Sequence, residues 1–211
     1  MIDKQAGQRR GSFWRELPIL AGVAILVAVL VRAFVVQTFF IPSASMEHTL
    51  DIDDKLLVNK FLYHFREPRR GEIIVFEAPR PWRPGAAGED FIKRVIGVGG
   101  DHVMCCDAAQ RITVNGHPLD EPYVHRDPDG TPDPAAGVPF DITVPADRLW
   151  VMGDHREASA DSLAHWRTTP DIQEATIPAD AVVGRAFTVF WPLDRATWLP
   201  VPPTFDDVPA P

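Results

Sequence analysis

The chain opens with one long apolar run. Residues 17–36 (LPILAGVAILVAVLVRAFVV) contain a single charge, Arg32, and about twenty helical residues span roughly 30 Å, the thickness of a bilayer's hydrocarbon core. Arg32 lies near the end of the run, where its long side chain can reach the lipid headgroups. The pattern predicts a transmembrane anchor over 17–36.

Two other interpretations of this run fit less well. A cleaved secretory signal would be shorter and followed by an A-x-A pattern, which does not occur here. A buried helix of a soluble protein would show polar positions at a helical period. Because basic residues precede the run, residues 1–16 are predicted to be cytoplasmic and the body to lie outside the plasma membrane.

Beyond residue 36 the apolar runs become short, rich in branched and aromatic residues, and closed by Gly, Pro or Asp. This alternation predicts a mainly β domain. Asn115-Gly116 is typical of a two-residue hairpin turn. Residues 79–90 and 126–139 are predicted loops, and the proline-rich tail 199–211 is predicted to be disordered. The predicted strand segments are 55–63, 71–79, 90–98, 111–119, 140–145, 148–154 and 181–193.

Charge narrows the possible functions. The formal net charge is −8, with four basic and two acidic residues in 1–16 and 17 basic against 27 acidic in the remainder. An acidic body argues against binding nucleic acid through its phosphates. The two cysteines, Cys105 and Cys106, are adjacent, which excludes metal-finger spacing and leaves open either a vicinal disulfide or two thiols.

Common catalytic templates are missing: the sequence has no G-x-S-x-G, S-x-x-K, H-E-x-x-H or Walker motif. Seven histidines are scattered without metal-ligand spacing, so no metal or cofactor is predicted. Three polar clusters remain as candidates: Ser43 with Ser45, Lys93 within DFIKRVIGVGGD, and residues 153–162, GDHREASADS.

Lys93 is the most informative of these candidates. In a strand, Lys93 and Arg94 point to opposite faces, so one of them points toward the side of its apolar neighbours. Burial can lower a lysine pKa by roughly 3–5 units from about 10.4, which would make Lys93 a base for a serine hydroxyl. The alternative is that both cations are solvated on an edge strand.

The anchor, PSASM, FIKRVIGVGGD, GDHREASADS and VVGRAFTVFWPL occur together and in an order that resembles bacterial type I signal peptidases, which are membrane-anchored Ser–Lys proteases. The resemblance runs from Phe39 to about Pro192. It implies a mainly β, signal-peptidase-like catalytic core with an inserted β subdomain. In this chain the core would comprise 37–102 and 147–198, and the insertion would comprise 103–146.

The resemblance also implies roles for individual residues. Ser45 matches the family's nucleophile and Lys93 its general base, while the Ser43 hydroxyl and the Ser45 backbone N–H match the oxyanion hole. The residues at supporting positions are Ser159, Asp161, Asp154 and Arg156. The residues matched to walls around the substrate's small side chains are Ile41, Pro42, Met46, Leu50 and Ile92.

Three positions depart from the family pattern. His48 replaces a common proline, and His155 replaces a common asparagine. Leu163 stands where an arginine often pairs with the aspartate of that block, so Arg156 is predicted to substitute as the partner of Asp161.

The implied activity is cleavage of signal peptides from exported preproteins after small residues, through an acyl-enzyme and without a cofactor. The expected partners are preproteins and the lipid bilayer, and the expected state is a monomer. Three alternatives stay open. They are a repressor-type Ser–Lys autoprotease, a catalytically silent anchored binding protein, and a Ser–His–Asp hydrolase that uses His48 or His155 with Asp154.

Overall fold

The computed structural model describes residues 9–83 and 90–211. In this part the helices are α1 (Arg9–Phe34), α2 (Ser162–Thr168) and α3 (Ile172–Ala175). The strands are β1 (Val36–Phe40), β2 (Lys55–Asn59), β3 (Ile73–Glu77), β4 (Asp90–Val98), β5 (His102–Cys105), β6 (Ile112–Val114), β7 (His117–Pro118), β8 (Phe140–Thr143), β9 (Arg148–Met152), β10 (Ile177–Pro178), β11 (Val182–Trp191) and β12 (Thr197–Trp198). The prediction of a mainly β chain is confirmed. Parts of the predicted N-terminal segment (1–8) and of the first loop (84–89) lie outside the described residues.

Two antiparallel sheets organise the body. The larger has the order β1-β2-β11-β3-β4-β9-β10, with β12 beside β11, and β4 lies in its interior between β3 and β9. The smaller has the order β7-β6-β5-β8 and occupies residues 102–143. Side chains of both sheets, among them Val103, Ile142 and Trp150, share one apolar core. The smaller sheet lies almost wholly within the stretch 103–146, whose status as a separate subdomain stays a prediction.

The hairpin between β6 and β7 follows from its turn residues. Asn115 and Gly116 have φ values of 51° and 80°, and Val114 pairs with His117 across the turn. Such positive φ values suit asparagine and glycine better than other residues. The turn predicted at Asn115-Gly116 is therefore confirmed.

The N-terminal region differs in part from its prediction. Helix α1 ends at Phe34, and β1 begins at Val36, which pairs with Asn59 of β2. The helix therefore ends two residues before the predicted end of the anchor at residue 36, and the apolar run continues without interruption from the helix into the strand. Across the described portion of the chain, no helix combines the length and apolarity that crossing a membrane requires.

The tail 199–211 is packed, so the prediction of disorder was wrong. Phe205 and Val208 are buried in the core shared by the two sheets. The Asn115 side chain donates to the carbonyl of Pro209 at 2.9 Å, which holds the tail against the β6–β7 turn. The proline content that suggested disorder instead accompanies a segment with a short 3₁₀ helix, Pro203–Phe205, and buried apolar side chains. Elsewhere, Cys105 and Cys106 are joined as a vicinal disulfide.

Candidate active site

Ser45 lies in a single 3₁₀ turn, Ala44–Met46, a few residues after β1. The next side chain, Met46, is fully buried in the core and anchors the turn. The Ser45 carbonyl accepts a hydrogen bond from the backbone N–H of His155 at 3.2 Å. A Cβ on Gly153 would lie 2.3 Å from the same carbonyl oxygen, so glycine is required for the segment after β9 to approach the turn this closely.

Lys93 projects from the middle of β4, and its side chain is 4% exposed. Its Nζ donates to Ser45 Oγ at 2.7 Å and to the carbonyl of Ile92 at 2.9 Å. Burial lowers the pKa of Lys93 from 10.5 to about 8, although the charges of Asp161 and Asp154 act in the opposite direction. An amine with this pKa is partly neutral near physiological pH and can accept a proton from the serine it contacts.

A mostly apolar cavity of about 530 Å³ opens beside the Ser45–Lys93 pair. Ile41, Pro42 and Ile92, three of the predicted wall residues, line it, and so does Ser43. The residues in the wall that sequence reasoning missed are Phe39, Phe40, Val75, Asp90, Phe91, Ala158 and Ala160. Ala158 and Ala160 flank Ser159, and this alternation of small residues was the available sequence signal.

Met46 and Leu50 do not line the cavity, contrary to the prediction. Both are completely buried in the apolar core beneath the turn, where they help to fix its position. Large apolar side chains suit a core as well as a pocket, so the sequence pattern alone did not separate the two roles.

Ser43 precedes the turn in extended conformation, with φ −135° and ψ 156°, and its side chain does not cap the turn. Its hydroxyl is therefore not engaged by the backbone of the turn. The predicted role of Ser43 in an oxyanion hole stays a prediction.

Asp161 connects α2 to the end of β9. One carboxylate oxygen accepts from the N–H groups of Leu163 and Ala164, which caps α2, and the other accepts from the N–H of Gly153 at 2.9 Å. Ser159 Oγ is buried and has no hydrogen-bond partner among the described residues. Orientation of Lys93 by Ser159 therefore stays a prediction.

Asp154 accepts hydrogen bonds from one cationic side chain and one hydroxyl group beneath the site. The Arg94 guanidinium donates to both carboxylate oxygens, at 2.9 and 2.6 Å, and the Thr49 hydroxyl donates at 2.5 Å. Burial opposes the charge of Arg94, but Asp154 outweighs this effect and keeps the pKa of Arg94 raised. Because Thr49 follows the turn that holds Ser45, its hydrogen bond to this buried ion pair connects the turn to β4 and to the segment after β9.

Arg156 does not pair with Asp161, so that prediction was wrong. Its guanidinium donates to both carboxylate oxygens of Glu121, at 2.6 and 3.2 Å. Leu163 is buried and packs in the shared core. Asp161 instead has backbone N–H groups as its hydrogen-bond donors.

The two histidines considered for a triad have other surroundings. His48 is exposed and has φ 82°, a value that a proline ring cannot adopt. The His155 ring contacts Glu47 and stacks on His125, a residue that sequence reasoning did not single out. In the described part of the chain, the side chain in hydrogen-bond contact with Ser45 Oγ is Lys93.

Comparisons with known proteins show which family the chain is similar to. A family model described as signal peptidase, peptidase S26, matches residues 14–191. Signal peptidase I of Leptolyngbya laminosa is 39% identical over 187 residues, covering 87% of this chain and 83% of the relative. Signal peptidase I of Mycobacterium tuberculosis is 36% identical over 219 residues, covering 86% and 74% respectively. A solved signal peptidase I from Enterococcus faecalis aligns with a TM-score of 0.41 and 25% identity over 57% of this chain and 97% of that one.

These matches define the class of protein as a serine peptidase, a hydrolase. Within that class, the chain belongs to the signal peptidase family, peptidase S26.

Proposed function

We propose that this chain is a membrane-bound endopeptidase that removes signal peptides from exported preproteins, using Ser45 as nucleophile and Lys93 as general base. The observation that carries the proposal is the 2.7 Å contact between Lys93 Nζ and Ser45 Oγ in a buried position beside an apolar cavity. Burial keeps the pKa of Lys93 near 8, so a proton acceptor is available close to neutral pH.

The reaction begins when neutral Lys93 takes the hydroxyl proton of Ser45 and Oγ attacks the scissile carbonyl carbon. The negative charge that develops on the carbonyl oxygen is stabilised by the Ser43 hydroxyl and the Ser45 backbone N–H. One such donor typically lowers the barrier by about 2.7–4 kcal/mol. As the intermediate collapses, Lys93 returns the proton to the leaving amine, and an ester on Ser45 remains.

Deacylation uses the same base. Lys93, neutral again, takes a proton from a water molecule, whose oxygen attacks the ester carbonyl. Collapse of the second intermediate breaks the bond to Oγ and returns the proton to Ser45. No metal or cofactor takes part in this chemistry.

The wall of the cavity supports a preference for small apolar side chains near the scissile bond. Ala158 and Ala160 lie beside Ser45 and Lys93 in this wall, and Ile41 and Ile92 lie within the packed body. A rigid wall disfavours a branched substrate residue, because overfilling a packed site is unfavourable.

Attachment to the plasma membrane rests on the sequence. The apolar stretch 17–36 follows a basic segment, which favours a single-pass anchor with a cytoplasmic N-terminus and an extracytoplasmic catalytic body. Ser45 comes nine positions after residue 36, and each residue extends the chain by at most roughly 3.3–3.6 Å. The nucleophile would therefore lie close to the bilayer, where the cleavage site of an inserted signal peptide emerges.

The proposal is tested by incubating a preprotein in lipid with the wild-type chain, Ser45→Ala and Lys93→Ala, after circular dichroism has verified that each is folded. We expect wild type to cut after a small residue and both variants to be inactive. Ester formation on Ser45 is checked by mass spectrometry of the acid-quenched reaction.

Each of two other outcomes would support a different function or a different catalytic base. Near-normal cleavage by folded Lys93→Ala would exclude Lys93 as the base and return attention to a histidine. Binding of the preprotein by wild type without cleavage would favour an anchored binding protein.

A further inference from the structure

Three side chains from distant parts of the sequence converge next to the turn Ala44–Met46, which holds Ser45 and is called the nucleophile turn below. Glu47, His125 and His155 each present a ligand atom, and these atoms all lie within 4.8 Å of one another. The imidazole rings of His125 and His155 are stacked, with centroids 3.9 Å apart and planes 17° from parallel. All three side chains are half-buried, so they are held by the fold and still reachable from solvent.

A second carboxylate, that of Asp133, lies nearby. His155 Nδ1 is 3.0 Å from Glu47 Oε2, and its Nε2 is 4.0 Å from Asp133 Oδ2. Asp133 is 8% exposed, and its carboxylate accepts the backbone N–H of Glu157 at 3.3 Å. Asp133 therefore faces the other ring nitrogen of His155 from Glu47, and it adds a second negative charge beside the three converging side chains.

The backbone brings these residues together through hydrogen bonds between their own segments. The N–H of His125 donates to the carbonyl of Asp154 at 2.9 Å, and the N–H of Asp133 donates to the carbonyl of His125 at 2.9 Å. The N–H of His155 donates to the carbonyl of Ser45 at 3.2 Å. The side chains thus start from main-chain positions that are already connected, which reduces the ordering that a ligand would have to impose.

We propose that Glu47, His125 and His155 form a binding site for a divalent transition-metal ion of the zinc class, with water as a fourth ligand. Imidazole nitrogen and carboxylate oxygen are ligands that Zn²⁺ takes at about 2.0–2.2 Å, usually four in a tetrahedron. Two ligand atoms of such a site are about 3.3 Å apart. Binding therefore requires the ligand atoms to close in and the two rings to tilt out of their stack, which half-buried side chains can do by rotation.

An ion at this position would connect the nucleophile turn to the segment after β9. Glu47 is two residues beyond Ser45, and His155 already contacts the Ser45 carbonyl through its backbone. The ion would hold the turn in place without touching the reacting atoms. This inference goes beyond the proposed peptidase function, and it can be tested without measuring hydrolysis.

The test is a Co²⁺ titration of tag-free, full-length protein in detergent, followed by visible absorption, with isothermal calorimetry of Zn²⁺ as a second measurement. The variants are His125→Ala, His155→Asn and Glu47→Gln. The matched control is His102→Ala, because His102 forms a histidine–carboxylate pair with Asp141 at 2.6 Å elsewhere on the surface.

We expect wild type and His102→Ala to bind one ion per chain and to melt at a higher temperature with Zn²⁺ present. Each site variant should bind at least about tenfold more weakly, since even loss of a supporting group weakens metal sites by about 10–100-fold. If one variant does not fold, the other two still decide the matter. The proposal is overturned if wild type shows no saturable one-to-one uptake, or if His102→Ala weakens binding as much as the site variants do.

Discussion

Each face of β4 carries one buried basic side chain, and the two side chains differ in their hydrogen-bond partners. On one face, Lys93 is 4% exposed, contacts Ser45 Oγ and the Ile92 carbonyl, and forms no ion pair within the described residues. On the other face, Arg94 is 2% exposed, donates two hydrogen bonds to Asp154 and one to the Gly71 carbonyl, and lies over the Tyr123 ring at 4.0 Å.

The difference lies in the pKa values of the two side chains. Burial without an ion-pair partner lowers the pKa of Lys93 to about 8, so its charged form is disfavoured and its neutral form can act as a base. Burial with Asp154 leaves the pKa of Arg94 raised, so its charge is permanent. Adjacent residues of one strand thus place the proposed base, Lys93, next to a buried ion pair that supports the site.

The largest expected effect is on the Lys93 face. Lys93→Met should reduce preprotein cleavage by at least about 10³-fold, because the nucleophile loses its base. The same change should raise the free energy of unfolding at pH 7 by about 1–3 kcal/mol, because a lysine pKa held near 8 rather than 10.5 reports an unfavourably buried ammonium. Cleavage rates and urea unfolding measure the two effects.

Lys55→Met is the control for Lys93→Met, because Lys55 is exposed and lies over the Trp191 ring. Lys55→Met should change neither the cleavage rate nor the free energy of unfolding to a comparable extent. A Lys93→Met protein that is inactive but also less stable than wild type would show that the contacts of Lys93 with Ser45 and Ile92 outweigh the burial of its charge.

The second prediction concerns the Arg94 face, where the expected change in the free energy of unfolding has the opposite sign. Arg94→Met should lower the free energy of unfolding by about 3–5 kcal/mol, because Asp154 is left as an unpaired buried charge. Combining it with Asp154→Asn should restore part of the loss, and urea unfolding of the double-mutant cycle measures the coupling. A folded Arg94→Met with wild-type stability would contradict a structural role for the pair.

Sequence reasoning identified the central strands and both members of the proposed dyad, but not the surroundings of each cation. The pattern in DFIKRVIGV indicated that either Lys93 or Arg94 points toward apolar neighbours. Both are in fact buried, because β4 lies in the interior of the sheet and both of its faces are covered. Strand order is a long-range property that a local pattern does not contain.

The misses have related causes. The first residue of β1, Val36, was assigned to the predicted anchor, because it follows the helix without a polar break. Helix α2 is short and depends on its Asp161 cap, so its own pattern is weak. The partnership of His125 with His155, 30 positions apart in the sequence, depends on how the loops fold together.

The third prediction is a pH dependence that reports on the Lys93 face. The rate of cleavage should rise with pH through about 8, as Lys93 loses its proton. Between about 8 and 10.5 the unfolded chain keeps this proton and the folded chain does not, so the contribution of Lys93 to stability should increase with pH in that window. Rate profiles and urea unfolding of wild type against Lys93→Met test both statements.

Asp161→Asn sharpens this test. Burial is the main cause of the lowered pKa of Lys93, and the Asp161 charge opposes it. Removing that charge should therefore move the rising limb of the plot of cleavage rate against pH to lower pH. Asp171→Asn is the matched control, because Asp171 caps α3 as Asp161 caps α2, and it should leave the limb in place. An unchanged limb in Asp161→Asn would show that the Asp161 charge does not act on Lys93.

The smallest effect expected is at Ser159, whose buried hydroxyl has no partner among the described residues. Because no hydrogen bond is lost, Ser159→Ala should change the free energy of unfolding by no more than about 1 kcal/mol. If the hydroxyl orients Lys93 during the reaction, kcat should still fall by about 10–100-fold, the scale of a misplaced catalytic group. Ser162→Ala is the counterpart, because the Ser162 hydroxyl accepts the Val151 N–H at 3.0 Å, and its removal should reduce stability more than kcat. If Ser159→Ala keeps the wild-type kcat, the Ser159 hydroxyl does not orient Lys93, and strand β4 and Ser45 alone set its orientation.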